Sequence, residues 1–163
     1  MKLFASIAGC RDYTMRTSVL VLCDGNLCRS PMARAVLASC LPELEVDTAG
    51  LAAVVGRRAD PAAVALLSNR SISIDDHIAK QLSWSMAKKA EVIFVMTEAQ
   101  KHVVEGRYPF SKGKVFRIGH HGGFDIIDPF GREHSAFESA LSNIEIGLTE
   151  WLPALRAISA STV

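Results

Sequence analysis

The sequence predicts an α/β fold: a single domain whose four-stranded, mainly parallel, twisted sheet carries helices on both faces. Short apolar runs, "SVLVLC", "LEVDTAG", "EVIFVM" and "KVFRIG", recur along the chain with helical stretches between them. The 163 residues are 49% hydrophobic, enough to bury a core without disulfides or metals. No repeat or low-complexity segment interrupts this alternation, and no apolar run approaches the ~18 residues of a membrane span.

The domain is expected over residues 18–163, after an N-terminal extension, residues 1–17, read as flexible. The start "MKLFASIAGC" has some likeness to a truncated export signal, but its apolar stretch is shorter than the roughly 7–15 residues of a signal core. "SVLVLC" is the first buried strand. "SPMARAVLASCL" follows as a helix, with Ser30 as N-cap and Pro31 in the first position, where a missing N–H costs nothing. After the strand "LEVDTAG", Asp60 and Pro61 repeat the cap-plus-proline signal and open a helix over "PAAVALLSNR". Ser83 caps a short helix through Lys89, "EVIFVM" is the third strand, and Thr97 caps "EAQKHVVEG". "KVFRIG" is the fourth strand. The loop "HHGGFDIIDPFGRE" precedes a closing helix over about residues 135–157, and a loop this long in a compact domain is often functional.

A formal charge of +1, with Lys and Arg dispersed, gives no reason to expect nucleic acid or an anionic membrane as partner. Any affinity for anions must be local. Cys10, Cys23, Cys28 and Cys40 all fall in the first quarter of the chain, a layout that suits reduced thiols in a cytoplasmic compartment better than a stapled secreted domain.

Five residues separate Cys23 from Arg29, between a strand and a helix start. Successive backbone N–H groups over Asp24, Gly25, Asn26, Leu27 and Cys28, backed by a helix N-terminus, form a cradle for a tetrahedral dianion. Gly25 permits the tight path, Asn26 tolerates a positive φ, and the Arg29 fork can grip two oxygens. The same positive surroundings would lower the pKa of Cys23 and make it a thiolate aimed at phosphorus. The alternative is a small buried hydrophobe ending a strand. A leaving oxygen needs a proton, and Asp128 is the best candidate to supply it: Pro129 stiffens the chain after it, and Phe130 can wall a flat ring. Asp128 also fits an ordinary turn. Asp125 lacks the following proline, and Asp60 is already explained as a helix cap.

"VLCDGNLCRSPMA" and the later "DPF" resemble the nucleophile and acid loops of the low-molecular-weight protein tyrosine phosphatases. "TAGLAAVVGRRADPAAV", "DDHIAKQLS", "EVIFVMTEAQKHV" and "GKVFRIGHHGGFDIIDPF" follow in family order, most similar to the bacterial branch that partners autophosphorylating tyrosine kinases of exopolysaccharide and capsule export. The resemblance implies that Cys23 attacks phosphorus, Arg29 binds the phosphoryl group, and Asp128 protonates the leaving tyrosine oxygen and then activates water. Inorganic phosphate is the product, and no cofactor or metal is required. Ser30 would hydrogen-bond the thiolate. Asn26 would hold the loop through Ser30, Thr48 and His77, and Leu27 and Phe130 would flank the ring. Cys28 would either pack neutrally or form a reversible, protective disulfide with Cys23. The implied partner is the tyrosine-rich tail of such a kinase.

Where the family usually has an aromatic residue this chain has "LAAVV", which leaves an aliphatic wall, and Ile78, Lys80 and Thr97 replace customary residues away from the nucleophile. An arsenate reductase of the same fold would need cysteines far downstream, and none follows Cys40. A phosphotyrosine-binding module without turnover would predict a damaged nucleophile or a missing acid. A metal site lacks a second Cys or His pair at matching spacing.

Overall fold

A computed structural model describes residues 15–161; most of the expected extension lies outside the described residues. The elements run β1 (Ser18–Cys23), α1 (Arg29–Cys40), β2 (Glu45–Gly50), α2 (Pro61–Ser68), α3 (Trp84–Lys89), β3 (Val92–Val95), α4 (Glu98–Arg107), a 3₁₀ turn (Pro109–Ser111), β4 (Val115–Arg117) and α5 (His134–Ser161). The sheet order is β2-β1-β3-β4 and every pairing is parallel. Among the described residues, the 3₁₀ turn alone has no counterpart in the expected elements.

Strand alternation sorts the apolar residues onto two faces. Val19, Val21 and Cys23 of β1 and Phe94 of β3 face the larger core, with α1, α2 and α5. Leu20, Leu22, Ile93 and Val95 face a smaller core with Ala87 of α3 and Val104 of α4. Helices therefore cover both faces. Burial on both sides explains why the strands read as continuous apolar runs rather than as alternating ones.

Local chemistry sets the helix ends as expected at Asp60, Ser83 and Thr97, whose side chains accept from Ala62, Met86 and Gln100 N–H. The first helix differs. It begins at Arg29, Cys28 occupies the cap position with no side-chain cap bond, and Ser30 lies inside the first turn. Pro31 is consequently its third residue, still among the first four N–H groups that have no partner within a helix. The Ser30 hydroxyl is drawn away from capping by stronger partners inside the loop.

β2 and β3 lie on opposite sides of β1, so the chain reverses its direction of sheet growth there. In open parallel sheets a crevice opens at such a switch point, beyond the carboxyl ends of the strands. Cys23 is the last residue of β1.

Candidate active site

The loop from Cys23 to Ser30 wraps around a pocket lined by Cys23, Gly25, Leu27, Cys28, Arg29, Val54, Asp128 and Phe130. Its carbonyls from Cys23 to Leu27 are engaged outward: those of Cys23, Asp24, Gly25 and Leu27 accept from the N–H groups of Leu51, Ala52, Val54 and Asp60. That of Asn26 accepts from His77 Nε2 at 2.7 Å. Because each peptide is planar and trans, outward carbonyls turn the following N–H groups inward, which is the anion cradle the sequence implied. The N-terminus of α1 adds its dipole.

The strain in this path falls on Asn26, which is fully buried with φ 59°. Its side chain compensates: Nδ2 donates to Ser30 Oγ at 2.8 Å, and Oδ1 accepts from Lys80 N–H at 2.9 Å. Ser30 Oγ also hydrogen-bonds Cys23 Sγ, 2.9 Å away, a contact in which either atom can donate. Asn26 meets Ser30 and His77 as expected, the latter through its backbone carbonyl, and its other described bond goes to Lys80 N–H rather than to Thr48. Thr48 is buried in β2, in register with Val21 of β1. Lys80, noted in the sequence only as a departure, supports the loop through its backbone and so needs no particular side chain.

Gly50 allows β2 to end hard against this loop. A Cβ there would lie 2.6 Å from the Asp24 carbonyl and 2.8 Å from Ala53 Cβ.

Arg29 is 2% exposed, and each visible contact holds its guanidinium in one plane. Nη1 donates to the Ile126 carbonyl at 3.0 Å. Nη2 donates to Asp24 Oδ2 at 3.0 Å and lies 2.9 Å from Asp128 Oδ2. Ile126 N–H in turn bonds the Met96 carbonyl at the end of β3, so the loop carrying Asp128 is stitched to the sheet. Asp128 Oδ1 accepts from Phe130 N–H, and the Phe130 ring stands half exposed at the pocket mouth. Asp125 is committed elsewhere, accepting from Glu98 N–H and from Arg117 Nη1 at 2.8 Å.

The positive surroundings expected to lower the Cys23 thiol are present, and burial acts against them. Burial pushes the Cys23 thiol up from its ordinary value, outweighing the opposite pull of the Ser30 hydroxyl and N–H, the Arg29 charge and Asn26 N–H. Cys28 is pushed up too, by burial and then by Asp60 and Asp128. Burial lowers His77, which favours the neutral ring that donates to Asn26. Cys23 and Cys28 are both buried free thiols, while Cys40 is exposed at the end of α1.

Gln100 has no signal in the sequence, and the roles of Asp24 and Val54 are legible there only in part. Asp24, expected only to lend its backbone, directs its carboxylate to Arg29. Gln100 holds Asp24 from α4, and its partners lie 76 and 4 residues away, a relation without a local pattern. Val54 was legible only as part of the aliphatic "LAAVV" stretch.

The site joins a buried thiol, an arginine, an inward-facing loop and an aspartate on a second loop across one small pocket, a constellation suited to phosphoryl transfer through sulfur. The family description low molecular weight phosphotyrosine protein phosphatase matches residues 18–160. The chain is 44% identical over 144 residues, covering 88% of it and 99% of the relative, to the probable low molecular weight protein-tyrosine-phosphatase EpsP of Ralstonia nicotianae. Its fold matches the crystal structure of the Erwinia amylovora tyrosine phosphatase amsI with a TM-score of 0.81 at 35% identity, over 86% of this chain and 93% of that one. It also matches the YwlE arginine phosphatase of Geobacillus stearothermophilus with a TM-score of 0.81 at 30% identity, over 89% and 96% of the two chains. By loop geometry, fold and a match that spans the whole sheet, the chain belongs to the low molecular weight phosphotyrosine protein phosphatases.

Proposed function

We propose that this chain hydrolyses phosphotyrosine in proteins through a cysteinyl-phosphate on Cys23, without a metal. The observation that carries this is Ser30 Oγ at 2.9 Å from Cys23 Sγ, on the floor of a pocket that Arg29 and Asp128 also line. The phosphoryl group enters as an anion bound by the loop N–H groups and Arg29. The thiol proton passes to a phosphoryl oxygen as the dianion approaches, so the pair keeps its total charge while sulfur becomes nucleophilic. Sulfur then bonds to phosphorus, the phosphorus–oxygen bond to tyrosine breaks, and protonated Asp128 gives the leaving oxygen its proton. Asp128, now ionised, accepts a proton from water, whose oxygen attacks phosphorus and releases inorganic phosphate and Cys23.

Apolar Leu27, Val54 and Phe130 around the mouth favour an aromatic ring over a charged side chain. EpsP and amsI are named as tyrosine phosphatases, whereas YwlE is an arginine phosphatase. The test is release of phosphate from phosphotyrosine and phosphoarginine peptides by reduced protein, beside Cys23→Ser. Turnover of the tyrosine peptide that vanishes in Cys23→Ser supports the reading, and turnover of the arginine peptide alone overturns it.

Resemblance to the exopolysaccharide branch supports a cytoplasmic role on the tyrosine-rich tail of an autophosphorylating kinase. Equal rates on that tail and on unrelated phosphopeptides would remove this part. Cys28, lining the same pocket as Cys23, suits a protective disulfide: peroxide oxidises Cys23 to a sulfenic acid, and the Cys28 thiol displaces water from it. Activity recovered by dithiothreitol in the native protein, and lost for good in Cys28→Ser, is the expected outcome.

A further inference from the structure

The phosphate-binding guanidinium is held by a chain of contacts that reaches outside the nucleophile loop. Gln100, in the first turn of α4, is 5% exposed. Its backbone N–H is taken by the Thr97 cap, its Oε1 accepts from Met96 N–H at 2.8 Å, and its Nε2 donates to Asp24 Oδ1 at 3.0 Å. The other Asp24 oxygen accepts from Arg29 Nη2. Asp24 itself is half exposed, with 55% of its side chain open, so nothing but these two bonds fixes its carboxylate. A free aspartate beside the loop would do harm, since it would swing toward the incoming anion or sequester Arg29 in varied geometries. Tethered by Gln100, it becomes a fixed acceptor that, together with the Ile126 carbonyl, sets the plane of the guanidinium.

We propose that Gln100 is a positioning residue for phosphoryl binding, acting through Asp24 on Arg29. This rests on the reading of Arg29 as a ligand of the phosphoryl group. Gln100 anchors the aspartate to the end of β3, the strand beside β1, so the nucleophile and the guanidinium are referred to adjacent strands of one rigid sheet. Substrate-bound Arg29 then loses little further freedom.

Gln100→Glu isolates the effect, because the carboxylate can still accept from Met96 N–H but offers no donor to Asp24. The probe is inorganic phosphate, read as an inhibitor of p-nitrophenyl phosphate hydrolysis, with thermal midpoints measured alongside. The expected result is an inhibition constant and a KM raised about tenfold, the scale of one charge-assisted hydrogen bond. Asp24→Asn added to Gln100→Glu exchanges donor and acceptor: the amide at position 24 can donate to the carboxylate at position 100 and still accept from Arg29. The pair should recover to within about threefold of the native constants, as a coupled contact demands. Should Gln100→Glu fold poorly, this exchanged pair, with the native net charge, is the variant that decides. An unchanged phosphate constant in Gln100→Glu, even with a lowered midpoint, would mark Gln100 as merely structural and overturn the proposal. So would an exchanged pair that binds phosphate no better than Gln100→Glu. A native protein that phosphate does not inhibit would instead remove the underlying assignment of Arg29.

Discussion

Arg29 Nη2 and Asp128 Oδ2 lie 2.9 Å apart, one buried at the pocket floor and the other half exposed on the facing loop. The group that should grip the phosphoryl oxygens is thus already in contact with the group that should supply the proton. An incoming phosphoryl group must take Arg29 from Asp128, and in doing so it replaces a cation beside the carboxylate with an anion.

On the proposed mechanism, Asp128 competes with phosphate for Arg29 while it promotes turnover. Asp128→Ala should lower kcat by at least about 10²-fold, the usual range for a lost general acid. It should also tighten inhibition by inorganic phosphate severalfold, because Arg29 loses a competitor. Rates on p-nitrophenyl phosphate from pH 5 to 8 provide the check. The native protein should lose activity as pH rises, and the variant should lack that decline. Weaker phosphate inhibition in Asp128→Ala would contradict the competition.

Ser30 links the strained residue to the nucleophile. Ser30→Ala removes both the hydroxyl facing Cys23 and the acceptor for Asn26 Nδ2. It should cost about tenfold in kcat, and about 1–3 kcal/mol of stability from the unpaired buried amide. A urea melt and a kcat measurement separate the two effects. Loss of stability with kcat intact would confine Ser30 to a structural role.

His77 connects loop integrity to pH. Its pKa is lowered by burial, which outweighs the Asn26 bond and Asp76 that favour the charged ring; Arg34 and Lys80 act in the same direction as burial. The unfolded chain binds this proton more readily than the folded one, so the folded state is at full advantage above the ordinary histidine value near ~6.5. The advantage is lost as pH falls from there through the lowered folded value. The loss cannot exceed about 1.4 kcal/mol per pH unit for one proton. Thermal midpoints of the native protein and His77→Gln from pH 7.5 to 5 should converge on acidification, the native falling faster. Parallel curves would show that His77 is not the acid-sensitive group.

Gly50 is a steric requirement. Its missing Cβ would sit against the Asp24 carbonyl and Ala53, and neither is the movable end of a flexible side chain. Gly50→Ala should destabilise the fold by about 1–3 kcal/mol, as overpacking does, and displace the backbone next to Cys23. The expected signs are a lower urea midpoint and weaker phosphate inhibition. A variant with native values of both would show that the strand end yields freely.

The sequence by itself determined the elements, the strand–loop–helix junction and the family, and it nominated Cys23, Arg29 and Asp128. These rest on local signals: apolar runs buried on two faces, caps at Asp60, Ser83 and Thr97, and a strand–loop–helix junction whose residue types have few other uses. Tertiary structure decided what those residues experience. The sequence reading placed Ser30 at a helix cap, and only the folded loop offers it Cys23 and Asn26 as better partners. The positive surroundings of Cys23 are legible in the loop, whereas the burial that pushes its thiol the other way has no local signature. The contacts of Asp24 with Gln100 and of Arg29 with Ile126 join residues 76 and 97 positions apart. Hydrogen bonds of that kind depend on where the ends of β1, β3 and the acid loop meet in space, and no spacing along the chain encodes it.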